Sequence, residues 1–169
     1  MAGIAERRPD LPFGGRFLPR FLYETSHSRP LYVLKAWLLA LVPSMILAGL
    51  VTALAADAPR PNFGGTGMVP ALLVVLFAPV VETFLMVPPL LLFNRYLGPT
   101  PAVLLSSALW GALHSSQVPL WGLIIWWPFL LFSVILLVWR ERSLATAMLL
   151  VIGVHALQNS LGAAALLLA

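Results

Sequence analysis

The chain has 169 residues, 60% of them hydrophobic and only 9% charged, with a mean hydropathy of +0.95. A soluble domain of this length has too little interior to hide that much apolar surface, so the composition points to an integral membrane protein. Cysteine is absent, which excludes disulfides, thiolate metal sites, c-type haem attachment and a cysteine nucleophile, and the net charge of +4 is distributed as membrane topology requires rather than as a nucleic-acid footprint.

Residues 1–34 form a tail rich in arginine, proline and aromatics, including Arg7, Arg8, Phe13, Arg16, Phe17, Arg20, Phe21 and Tyr23. Its length ahead of the first apolar run argues against a cleaved secretory signal. Basic and aromatic residues together suit the lipid headgroup zone, so the tail either lies partly on the membrane or is disordered. His27, among Ser26, Ser28 and Arg29, is expected to be solvated. The remainder, 35–169, is one membrane domain without an internal repeat.

Five segments are long enough to span, giving an all-α membrane protein built as a bundle of about five transmembrane helices. The first covers about 33–55. A polar link at 56–67 comes next, whose glycines in N-F-G-G-T-G lack the spacing and lysine of a phosphate-binding loop and are turn residues. The second span covers about 68–93 and the third about 101–118. A tight turn near Pro119 leads to the fourth, 121–139. Arg140, Glu141 and Arg142 separate it from the fifth, 144–168. Placing the N-terminus inside and the C-terminus outside puts Arg7, Arg8, Arg16, Arg20, Arg29, Lys35, Arg95, Arg140 and Arg142 on the cytoplasmic side and only Arg60 outside.

Within the spans the polar residues are few. Glu82 is the only acidic residue inside any hydrophobic segment, and a carboxylate at such depth is usually there to function. His114 lies in the third span, with Trp110 four residues before it. His155 and Asn159 lie in the fifth at i, i+4, on one helix face. The fourth offers only Ser133 and reads as scaffolding and lipid contact. At a helical rise of roughly 1.5 Å per residue, Glu82 sits roughly 18 Å from the cytoplasmic end of its span, and His114 and His155 each roughly 20 Å. Three ionisable residues on three helices at one depth point to a shared site rather than to separate interhelical hydrogen bonds.

A carboxylate, two imidazoles and an amide suit amide hydrolysis: the carboxylate takes a proton from water beside one histidine, while N–H donors stabilise the oxyanion. Glu82 and the two histidines are also competent ligands for a divalent metal such as zinc, although H-E-x-x-H is absent and the metal-free reading is preferred. There is no intramembrane aspartate for an aspartyl dyad and no G-x-S-x-G context for a serine nucleophile. A proton-coupled transporter using the same residues as a relay is a weaker alternative, since five spans show no inverted repeat.

The runs A-P-V-V-E at 78–82, W-x-x-x-H at 110–114 and H-x-x-x-N at 155–159 resemble the three motifs of the CPBP (CAAX protease and bacteriocin-processing) family. These are glutamic-type intramembrane proteases that include the type II CAAX prenyl endopeptidases, and the resemblance covers roughly 70–165. It implies that Glu82 and His114 activate water, that His155 and Asn159 stabilise the oxyanion, and that Trp110 replaces the aromatic of the second motif. Thr83, Trp110 and Gln158 are expected to support the site or contact substrate. Two positions depart from the family pattern: Thr83 stands where a second glutamate is usual, and Val87 where arginine is usual. At i, i+4 those two would pair, so losing both leaves no orphan buried charge, and the change reads as removal of a supporting pair.

The expectation is therefore an intramembrane endopeptidase, glutamic-type and without a cofactor. Its partners are the lipid bilayer and a membrane-anchored peptide or protein substrate, with no nucleic acid. The Ala/Leu/Arg/Pro-rich composition points to a multi-pass protein of a bacterial plasma membrane. The alternative is a catalytically inactive member of the same fold that holds a peptide, as an immunity partner or chaperone would.

Overall fold

Every long apolar run of the sequence becomes a helix, because in hydrocarbon each backbone N–H and C=O must be satisfied within its own segment. A computed structural model of the chain describes residues 10–168. Arg7 and Arg8 of the expected interfacial tail lie outside the described residues. Helix α1 spans Arg29–Leu54, α2 Met68–Leu97, α3 Pro99–Gln117, α4 Trp121–Trp139 and α5 Leu144–Leu168, and no strand occurs among the described residues. All of these helices except α3 are long and apolar enough to cross a membrane. Helix α3 has 19 residues but is more polar, carrying Thr100, Ser106, Ser107 and the run His114–Gln117. The result is an all-α membrane bundle, with helix ends within a few residues of those predicted.

Prolines and glycines set the boundaries. Gly98, at φ +83°, closes α2 with its N–H on the Asn94 carbonyl and turns the chain directly into Pro99, whose missing N–H costs nothing in a first turn. Leu120, at φ +67°, turns α3 into α4. There the backbones nearly touch: the Gly122 N–H donates to Ser115 Oγ at 3.0 Å, and a Cβ on Gly122 would collide with the Gly111 carbonyl and the Ser115 hydroxyl.

The expected lipid-facing role of the fourth span is overturned. Helix α4 is the axis of the bundle, packed against α1, α3 and α5, and every residue from Pro128 to Trp139 is buried. The physical reason is its composition, since a helix apolar on all sides has no polar face to give up and fills the interior as readily as lipid. Ser133 is buried there, donating to the Phe129 carbonyl at 2.8 Å with Ser106 Oγ 3.1 Å away. Trp127 Nε1 donates to the Leu39 carbonyl of α1 at 2.9 Å. Helix α2 packs between α3 and α5.

The described part of the tail is folded rather than disordered. Two short 3₁₀ turns, Pro12–Gly15 and Arg20–Tyr23, fold it over one end of the bundle. Leu18, Leu22 and Tyr23 are buried in the main core. The Tyr32 hydroxyl donates to the Leu22 carbonyl at 3.1 Å, the Phe13 N–H to Thr100 Oγ1 at 2.7 Å, and Arg142 Nε to Thr25 Oγ1 at 2.8 Å. His27 is not freely solvated, because its Nε2 lies 3.0 Å from Glu24 Oε2, and Arg20 Nε donates to Glu24 Oε1 at 2.6 Å. Of the tail aromatics, Phe21 lies edge-on to Tyr32, itself edge-on to Trp139, while Phe17 is exposed.

Candidate active site

Helix α2 is not uniform. Ahead of Glu82 it passes through a wide turn at Leu73–Phe77, where the Ala78 N–H donates to the Leu73 carbonyl five residues back. Such π-type turns rotate the downstream part of a helix relative to the upstream part and recur at functional sites. Five residues after the wide turn, Glu82 is directed between α3 and α5, its side chain 22% exposed. His114 comes from the last turn of α3 and His155 from the middle of α5, and both are buried.

The three side chains converge. Glu82 Oε2 is 3.9 Å from His114 Nε2 and 3.8 Å from His155 Nε2. Neither separation is a direct hydrogen bond, and both are spans that one shared oxygen atom would bridge. The equal depth predicted from residue counting is what the helices deliver.

The proton placement on His114 is set by its other nitrogen. Nδ1 lies 2.9 Å from the Trp110 carbonyl, which can only accept, so Nδ1 carries the hydrogen and the neutral ring presents a bare Nε2 lone pair to Glu82. The ring is clamped by Trp121 edge-on at 4.7 Å and by Phe129, against which Trp110 stacks at 4.7 Å. His155 is held by Phe132 at 4.8 Å and Phe129 at 5.5 Å, and its Nδ1 is buried without a protein partner among the described residues.

These groups open onto one cavity of about 490 Å³. Glu82, His114, His155, Gln158 and Asn159 supply most of its polar wall, and Phe77, Trp121, Phe129 and Phe132 much of its apolar wall. Phe63 from the 56–67 link and Gly162 near the end of α5 also line it, which places the opening at the end of the bundle opposite the folded tail. Asn159 Nδ2 donates to the Val74 carbonyl at 2.9 Å, and Gln158 Oε1 is buried without a protein partner among the described residues.

Two of the predicted residues stand behind the site rather than in it. Trp110 holds His114 through its backbone carbonyl and its stack on Phe129. Thr83 is buried on the side of α2 away from the cavity and returns its hydroxyl to the Pro79 carbonyl at 2.6 Å. Val87, one turn on, packs against the apolar core, so a hydroxyl and a hydrocarbon side chain stand where the family pattern has an ion pair. The aromatic walls were missed by sequence reasoning, although Trp121, Ile125, Phe129 and Phe132 have a 4, 4, 3 spacing on one face of α4. Glu82 and the two histidines have the chemistry of metal ligands, but among the described residues no set of three or more such groups is arranged to hold an ion.

A protein-family model, that of the type II CAAX prenyl endopeptidase Rce1-like proteins, matches residues 64–161. That stretch runs from the link ahead of α2 to two residues beyond Asn159, and so takes in Glu82, His114, His155, Gln158 and Asn159 of the cavity wall. Comparison with curated proteins and with solved structures gives no match.

Proposed function

This chain belongs to the type II CAAX prenyl endopeptidase Rce1-like family, and from that premise we propose that it is an intramembrane endopeptidase whose chemistry is carried by Glu82, His114, His155 and Asn159. The family makes it a CAAX-type membrane protease, and the apolar helices make it a multi-pass integral membrane protein. The finer reading rests on one observation above all, the approach of Glu82 Oε2 to within 3.8 and 3.9 Å of two imidazole nitrogens at the wall of a single cavity.

In the proposed reaction a water molecule sits between Glu82 and His114. It donates one hydrogen to the carboxylate and the other to the bare Nε2 of His114, which aims its oxygen lone pair at the scissile carbonyl. As the carbon–oxygen bond forms, Glu82 takes the proton and negative charge collects on the former carbonyl oxygen. His155, with its hydrogen on Nε2, and the second N–H of Asn159 stabilise that charge. Collapse breaks the carbon–nitrogen bond and Glu82 returns the proton to the leaving amine, giving a carboxylic acid and an amine from one peptide bond and one water. This path uses no metal.

The substrate is a membrane-anchored peptide or protein that enters from the end of the bundle away from the tail and unwinds locally, because a helical backbone buries its carbonyls in its own hydrogen bonds. In this reading the N-terminus and tail face the cytoplasm of a bacterial cell and the cavity faces the outer half of the plasma membrane. One observation favours a second reading. The absent Glu–Arg pair, replaced by buried Thr83 and half-buried Val87, fits a relative that holds a peptide in the same cavity without cutting it.

Mapping protein termini in membrane and secreted fractions of cells carrying wild type, Glu82→Ala or His155→Ala, matched for expression, separates the two. New termini confined to wild type establish the protease and identify its substrate. Identical termini in all three, with both variants rescuing the deletion phenotype, would leave the peptide-holding reading.

A further inference from the structure

The hydrogen bond from Asn159 to Val74 has an origin in the covalent structure of α2. In the wide turn the donor lies five residues after the acceptor, as in the bond from the Ala78 N–H to the Leu73 carbonyl. The next bond in that register would run from residue 79 to the Val74 carbonyl. Residue 79 is proline, which has no N–H, so α2 cannot satisfy Val74 in this way. Asn159 Nδ2 occupies the place of the missing donor, 2.9 Å from the Val74 oxygen.

We infer that Pro79 is a positioning residue: by withholding a backbone donor it leaves the Val74 carbonyl to Asn159, and this bond fastens α5 to α2 across the cavity. The consequence deepens the proposed function, on which its catalytic meaning rests. Val74 lies two turns before Glu82 on α2 and Asn159 one turn after His155 on α5. The bond therefore fixes the spacing of the two helices that carry Glu82 and His155, whose reactive atoms are 3.8 Å apart. It also fixes the amide itself. A carbonyl accepts only N–H, so Val74 selects the rotamer in which nitrogen, not oxygen, faces α2, and one of the two amide hydrogens remains for another acceptor. Pro88 and Pro89 in the same helix also lack an N–H, but they lie beyond the wide turn and no side chain of α5 bonds to a carbonyl they leave free.

The test is read on the asparagine and not on peptide cleavage, so it stands or falls separately from the protease reading. The chain has three asparagines, Asn62, Asn94 and Asn159, and selective 15N-asparagine labelling of the detergent-solubilised protein gives one side-chain NH2 pair for each. In wild type the Asn159 pair is expected to exchange with water at least about tenfold more slowly than the exposed Asn62 pair, the factor that a hydrogen bond near the upper end of the usual range confers. Pro79→Ala restores a backbone donor to Val74, so the protection should disappear. Pro88→Ala, the control in the same helix, should leave it in place. The loss in thermal midpoint caused by Asn159→Leu should likewise be smaller in the Pro79→Ala background than in wild type. Exchange of Asn159 as fast as Asn62 in wild type would overturn the inference without any variant needing to fold. So would protection that survives Pro79→Ala, or a midpoint loss that is the same in both backgrounds.

Discussion

Glu82→Gln separates chemistry from architecture because the substitution keeps the shape of the side chain and removes only its basicity. Glu82 Oε2 is buried and has no hydrogen-bond partner among the described residues, and its nearest imidazole nitrogens lie at 3.8 and 3.9 Å, outside direct bonding range. No strong native contact is therefore lost, and a buried charge is relieved, so the variant should unfold within about 1 kcal/mol of wild type or be more stable. Loss of a general base costs about 100- to 10,000-fold in rate, or about 3–5 kcal/mol of barrier. Single-turnover cleavage in proteoliposomes, with the substrate found by mapping termini, measures the rate, and thermal unfolding in detergent measures the fold. A normal unfolding midpoint with cleavage reduced by at least about 100-fold is expected. Full cleavage by Glu82→Gln would refute the assignment of the base. A collapse of stability would refute the claim that the carboxylate makes no strong structural contact.

Three further predictions test the surrounding structure. Gly122→Ala should destabilise the protein by about 1–3 kcal/mol in detergent unfolding, since the new methyl meets the Gly111 backbone and the Ser115 hydroxyl, and Gly111→Ala should cost less because its neighbours lie at ordinary contact distance. Thr83→Glu alone places an unpaired carboxylate at a buried position and should cost about 3–5 kcal/mol if it stays ionised; Thr83→Glu with Val87→Arg should recover part of that loss, and equal midpoints for the single and double variants would show that the two positions do not face each other. In the tail, the hydrogen bond from Arg20, aided by His27, holds the Glu24 carboxyl below its ordinary value. A lowered folded pKa gives stabilisation that is present above the unfolded value and is lost as pH falls through the folded one. Acid proteolysis should therefore open residues 10–28 of wild type as pH drops below about 4, with Glu24→Gln already open above it and flat across the window; superimposable acid limbs would dismiss the ion cluster as a fastener.

Legibility was uneven across the molecule, and the reasons are physical. Residues 68–93 and 144–168 announced themselves as helices because a bilayer forces any long apolar segment to satisfy its own backbone, whatever its neighbours do. Glu82, His114, His155 and Asn159 were legible for a related reason. Polar groups are so costly at membrane depth that each one present carries information, and a constant rise per residue turns sequence position into depth.

The sequence by itself thus determined the class of protein, the number and extent of its helices, and the level at which its polar groups meet. It could not determine which helix is central, because α4 is apolar on every face and lipid and protein interior reward such a surface almost equally. Nor could it place the tail, whose Phe21 suits a headgroup layer as well as it suits the edge-on Tyr32–Trp139 pair it packs against. The bond from Asn159 to Val74 was equally hidden, since it joins residues 85 apart and depends on a backbone oxygen released by a proline and a wide turn. Rotation of each helix about its axis decided these matters, and that rotation is set by packing between segments, an interaction that no single segment encodes.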